Sequence, residues 1–118
     1  MNTNNEKIIF KELSYDIVGL AMEVHKKIGY GFLEKIYKNA IMVLLEREKI
    51  SARQQVAIPV YFADIVVDNK IILEIKAATS IMNAHRAQLL NYLTATKMQL
   101  GIILNFGKKK LEYDRLVN

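Results

Sequence analysis

Two opposite charges sit inside an otherwise apolar run, Ile71-Ile72-Leu73-Glu74-Ile75-Lys76-Ala77, and this run constrains the fold more than any other stretch. On a strand, residues two apart point to the same face. Ile72, Glu74 and Lys76 therefore share one side, while Ile71, Leu73, Ile75 and Ala77 make the other side wholly apolar. A strand of this kind belongs in a sheet covered by helices, where an unused charge is costly. Just upstream, Ala63-Asp64-Ile65-Val66-Val67 has the same character, with Asp64 as its lone charge. An acid on one strand, then an acid and a lysine one residue apart on the next, is an arrangement by which a sheet holds a divalent metal.

The register of the two strands decides whether such a site exists. If residues 68–70 form a three-residue loop, Asp64 lies opposite Glu74, Val66 opposite Ile72 and Val67 opposite Ile71. A two-residue turn at Asp68-Asn69 instead sets Leu73 against Asp64 and turns Glu74 to the other face. In the first register two carboxylates converge on a hard, oxygen-loving cation, Mg²⁺ (or Mn²⁺), that keeps several waters and takes its remaining ligands from a phosphate. Lys76 then stands beside them, able to donate to an attacking water or to the phosphate oxygen on which charge builds. The plainer alternative is a Glu74–Lys76 ion pair at an exposed sheet end, with Asp64 a strand-edge charge.

The rest of the chain reads as α/β. Residues 1–10 read as a loose lead-in. Leu13, Ile17, Leu20, Ala21, Val24 and Ile28 follow helical spacing, with Glu23, Lys26 and Lys27 outside the apolar stripe and Gly29 as the stop. A second helix is expected over 32–49, on Leu33, Ile36, Tyr37, Ala40, Ile41, Leu44 and Leu45. Strands follow at 54–60, 62–67 and 70–77, a helix at 83–96 with Ala87, Leu90 and Leu93 on its apolar side, a strand at 100–105, a basic turn at 107–110, and a last strand or tail at 111–117. The order is αα-βββ-α-β, a central mixed sheet flanked by helices, in one domain over 1–118.

Composition narrows the partners. Seventeen Lys and Arg against twelve Asp and Glu leave a formal charge of +5, which suits a polyanion such as nucleic acid but equally a solvated basic surface. There is no cysteine, hence no disulfide framework and no thiolate metal site. No apolar run reaches the length of a membrane span, and the polar start lacks a secretory pattern. The expectation is a soluble, cytoplasmic protein with no membrane partner.

Two helical features add to the strand site. Gly31, Glu34 and Tyr37 are spaced by three, which puts Glu34 and Tyr37 on one side of the second helix with Glu34 near its positive N-terminal end. His85, Gln88 and Tyr92 form a polar stripe that an ordinary packed helix would not require. Taken singly, each is as well explained by a half-buried hydrogen bond or a core aromatic.

These residues carry a resemblance. Gly31-Phe32-Leu33-Glu34-Lys35-Ile36-Tyr37, Asp64 with Glu74-Ile75-Lys76, Gln88 with Tyr92, and the flanking Glu23-Val24-His25 and Leu104-Asn105-Phe106-Gly107 resemble the GxxExxY family within the PD-(D/E)XK nuclease superfamily, from about Leu13 to the C-terminus. The resemblance implies a PD-(D/E)XK nuclease-like core and Mg²⁺-dependent hydrolysis of phosphodiesters. It also implies metal ligation by Asp64 and Glu74 completed by Glu34, with Lys76 catalytic. Gln88 and Tyr92, with His85 and Tyr37, would orient substrate. An alternative of another class is a nuclease-fold module that binds nucleic acid or a protein without cutting.

The chain departs from the pattern it resembles in one place. Members of that family usually carry an extra turn-forming stretch with glycine between the first two strands, whereas here Pro59-Val60-Tyr61-Phe62 leads straight into Ala63-Asp64. Segment 54–67 either folds back sharply or continues as one strand that pairs with a second molecule, so a homodimer through this segment is expected in the latter case.

Overall fold

The structure, a computed structural model, describes residues 9–58 and 61–118, and of Tyr61 the backbone alone. Five strands lie side by side in chain order: β1 (Ala52–Ile58), β2 (Tyr61–Val67), β3 (Ile71–Lys76), β4 (Leu100–Asn105) and β5 (Glu112–Val117). All neighbours are antiparallel except β3 and β4. A parallel pair needs a long crossover, and helix α3 (Asn83–Thr96) supplies it. Helices α1 (Lys11–Ile28) and α2 (Glu34–Arg47) precede the sheet. The architecture is the expected mixed α/β sheet flanked by helices, and 111–117 does form a strand.

Two cores result, one on each face of the sheet. On the first, Ile17, Leu20, Ala21 and Val24 of α1 and Tyr37, Ile41 and Leu45 of α2 pack against Ile65, Val67, Ile71, Leu73, Ile75, Ile102 and Leu104. The three-and-four spacing of those helical residues is what makes each helix present a single apolar stripe. Arg47 grips the Glu23 carboxylate with two hydrogen bonds of 2.8 and 3.0 Å, tying α2 to α1 at the surface. On the second face, α3 covers Val66, Ile72 and Ile103.

The inward side of α3 differs from expectation. Leu89, Tyr92 and Leu93 are buried, whereas Ala87 and Leu90 are exposed. The cause lies in the sheet: Leu89 settles over Gly101, where an added Cβ would come within 2.7 Å of its side chain. The gap left by a missing side chain on β4 selects the face of the helix that packs there.

Segment 54–67 does not run on as one strand. β1 folds back on β2 with Ile58 opposite Tyr61, so the edge that a second molecule would have used is paired within the chain. The expected turn at Pro59-Val60 lies outside the described residues, as does most of the expected lead-in. No helix among the described residues is long and apolar enough to cross a membrane.

At the end of β3 the chain is latched by one side chain. Asn105 is fully buried: its Oδ1 accepts from the Ala78 and Gly107 N–H groups, and its Nδ2 donates to the Ala78 carbonyl and to Glu112 Oε1. Glu112 Oε1 also accepts from the Ile81 N–H at 2.8 Å. Those hydrogen bonds hold the Glu112 carboxyl below the usual carboxylate range, that from Asn105 most of all. Asn105→Leu would strand these partners in the interior. The expected cost is about 3 kcal/mol, read in urea denaturation as a lower midpoint with an unchanged slope.

Candidate active site

β2 and β3 part company at the site. Their ladder pairs Val67 with Ile71, Val66 with Ile72 and Ile65 with Leu73, and closes through a three-residue loop, Asp68-Asn69-Lys70. Asp68 and Asn69 take left-handed φ values of 52° and 54°, which Asp and Asn tolerate better than other side chains. The register is therefore the one that aligns Asp64 with Glu74. One step further on, side chains take the place of backbone pairing. The Asp64 N–H donates to Glu74 Oε2 at 3.1 Å, and the Ile75 N–H donates to Asp64 Oδ2 at 2.8 Å.

A twist in the neighbouring ribbon makes room for this exchange. Ala52, Ile65 and Val67 face the first core, yet Val56 and Ala63, an even number of residues away, face the second. Alternation along a strand forbids that unless the ribbon turns over. It does so at Gln55, whose φ is 54°, directly opposite Asp64. Simple alternation would have carried Asp64 past this point unnoticed.

Glu74 is only 5 % exposed. Burial, and then the nearby Asp64 charge, push its carboxyl up to about 7, with Glu34 adding to the rise and the Asp64 N–H and Lys76 opposing it. Glu34, exposed on the first turn of α2, is thus within electrostatic reach of Glu74. Lys76 follows Glu74 on the same side of β3, half-buried. Among the described residues no three His, Cys, Asp or Glu side chains gather at metal-binding separations. Asp64 and Glu74 meet as a pair, and Glu34 does not join them.

Tyr37 is fully buried in the first core. Its hydroxyl donates to the Gly29 carbonyl at 2.7 Å and accepts the Phe32 N–H at 3.3 Å, closing the loop that leads into Glu34. Gly31 sits in that loop at φ 97°, with open space around its Cβ position, so backbone conformation and not room demands glycine there. The Tyr37 ring stacks on Phe106 with centroids 4.5 Å apart, and Phe106 in turn stacks on His25 at 6.0 Å. The Phe106 N–H donates to the Lys76 carbonyl at 2.8 Å. One column of rings thereby fixes the end of α1, the start of α2 and the end of β3 together.

The α3 stripe is divided. Tyr92 is buried in the second core, Gln88 is exposed, and His85 accepts the Met82 N–H on Nδ1 at 3.0 Å, capping the helix. Sequence reasoning passed over the supporting roles of His25, Asn105, Phe106 and Glu112. The signal was present in part, since His25, Asn105 and Phe106 fall in the flanking motifs.

A family model described as the PD-(D/E)XK nuclease superfamily matches residues 11–116. The chain belongs to that superfamily. No curated protein and no solved structure matches it. Superfamily membership suggests a divalent metal, and the donor set fits one of a particular kind. Two carboxylates alone make no all-protein cage, but they suit a small, hard cation that keeps its waters and completes its shell with substrate phosphate.

The raised Glu74 carboxyl has a consequence for metal-free protein. Between about pH 4.5 and 7 the unfolded chain ionises Glu74 while the folded one keeps its proton, so stability from this group falls as pH rises and the loss is complete above 7. In EDTA, Glu74→Gln is expected to be about 3 kcal/mol more stable than wild type at pH 8.5 and indistinguishable near pH 4. Urea denaturation at the two values checks it, and a constant difference across pH would refute the assignment.

Proposed function

We propose that the protein is a metal-dependent nuclease of the GxxExxY type, hydrolysing phosphodiester bonds of nucleic acid. The observation that carries the reading is the pair of carboxylates where β2 and β3 separate, Glu74 accepting the Asp64 N–H and Asp64 accepting the Ile75 N–H, with Lys76 next in the same row. A divalent cation, Mg²⁺ (or Mn²⁺), supplies Lewis-acid stabilisation of charge on the phosphodiester when bound. Asp64 and Glu74 hold it. Glu74 must first release its proton, and it does so readily near neutrality because its carboxyl is poised at about 7.

Lys76 directs its ammonium at the phosphate oxygen that gains charge or at the attacking water, its own carbonyl accepting the Phe106 N–H. Glu34, at the opening of α2, adds a negative charge that favours occupation by a cation. Gln88 and His85, on the outer turns of α3, contact substrate, while Tyr37 and Tyr92 act from the core as positioning residues. The lack of cysteine is in keeping with a cytoplasmic setting.

Asp64→Ala, Glu74→Ala and Lys76→Ala should each lower Mg²⁺-dependent cleavage of a labelled oligonucleotide by about a thousandfold or more, with circular dichroism showing retained fold. Wild-type rates in all three would rule the mechanism out. Salt-sensitive binding with no Mg²⁺-dependent turnover in the wild type would make the protein a non-cutting nucleic-acid-binding module instead.

A further inference from the structure

The loop that delivers Glu34 carries more aromatic surface than its packing uses. Tyr30 is 56 % exposed and Phe32 51 %, and across the site Phe62, two residues before Asp64, is 60 % exposed. Large aromatics left in water beside a charged cleft need a reason. The loop is also clamped: Tyr37 bonds both Gly29 and Phe32, and Phe32 meets the Tyr37 ring edge-on at 6.4 Å. A surface held this firmly loses little entropy when something flat settles on it.

At the last turns of α1 lies a hollow of about 420 Å³, walled by Met22, His25, Lys26, Lys109, Lys110 and Leu111. The three lysines are exposed. His25 Nε2 lies 2.7 Å from the Lys108 carbonyl oxygen, and the ring stacks on Phe106, whose N–H bonds the Lys76 carbonyl at the end of β3.

We infer that Tyr30 and Phe32 form a stacking platform for unpaired bases, with Lys26, Lys109 and Lys110 tracking the phosphates, so that the chain acts on single-stranded nucleic acid. The substrate class rests on the nuclease reading, but the platform does not. In a duplex the base faces are already stacked on one another and unavailable to a side chain. In a single strand they are free, and base–aromatic stacking is tolerant of sequence. The lysine hollow argues for this occupant over an apolar protein segment, which would gain nothing from three neighbouring ammonium groups.

The test uses the full chain in EDTA, with a fluorescein-labelled mixed-sequence DNA of about 15 nucleotides and the same sequence as a duplex. Anisotropy is followed at roughly 50 and 200 mM salt. The single strand should bind about tenfold more tightly than the duplex. Tyr30→Ala and Phe32→Ala should each weaken single-strand binding about tenfold with the salt slope unchanged. Lys109→Ala with Lys110→Ala should reduce that slope by about 1.4.

Because the chain has no tryptophan, the Tyr30→Trp variant places a single indole on the platform, and the oligonucleotide should quench its emission. Equal or tighter duplex binding, wild-type affinity in both aromatic variants, an unquenched indole at saturation, or no binding to either probe would each overturn the inference. The nuclease reading fails separately. A protein that binds single strands through Tyr30 yet shows no Asp64-dependent turnover in Mg²⁺ keeps the platform and loses the enzyme. One that cuts duplex regardless of Tyr30→Ala keeps the enzyme and loses the platform.

Discussion

The structure turns on what becomes of two backbone N–H groups where β2 and β3 stop pairing. A strand that leaves its neighbour in a protein interior strands hydrogen-bond donors, and each costs free energy if left unmet. Here the donors of Asp64 and Ile75 are met by the carboxylates of Glu74 and Asp64. The bonds that make the opening tolerable also aim the acids at each other. Holding a carboxylate in that place is unfavourable on its own, which is why Glu74 retains a proton to about neutrality. Stability and proton affinity thereby become linked properties of one pair.

Behind the pair, two devices keep the surrounding backbone in place. The ring column of His25, Phe106 and Tyr37 draws three elements together from the first core. The Asn105 latch holds residues 78–81 on their way from β3 to α3. Both lie beneath the surface that would meet substrate, and neither needs to touch it. Within the Gly31, Glu34 and Tyr37 spacing the labour is divided in the same way: the exposed glycine permits the loop, the buried tyrosine closes it, and the glutamate carries its charge into solvent.

Much of this was legible before any coordinates. The α1 stripe, most of the α2 stripe and the three consecutive strands followed from apolar spacing, though Leu33 and Ile36, expected on the α2 stripe, stay exposed. Spacing alone leaves the register of β2 on β3 open between a three-residue loop, the one observed, and a two-residue turn. The side of α3 that packs did not follow from spacing either, because Ala87, Leu90 and Leu93 form as plausible a stripe as Leu89, Tyr92 and Leu93. The decision lay with Gly101, distant in sequence. Alternation likewise gave no hint that the β1–β2 ribbon turns over at Gln55, since a left-handed glutamine inside a strand has no compositional mark.

The sequence by itself determined which charges lie inside apolar strands, Asp64 on one and Glu74 with Lys76 on the next, because local periodicity reports which strand and which face each occupies. Only the tertiary structure decided how those residues meet: that the Asp64 and Glu74 carboxylates take the Ile75 and Asp64 N–H groups, that Glu34 stands apart from them, and that Tyr37 and Tyr92 are buried in the core. The reason is physical. Periodicity is a property of a single element, whereas the splaying of two strands, the seating of a leucine over a distant glycine and the burial of a carboxylate depend on what other elements place alongside.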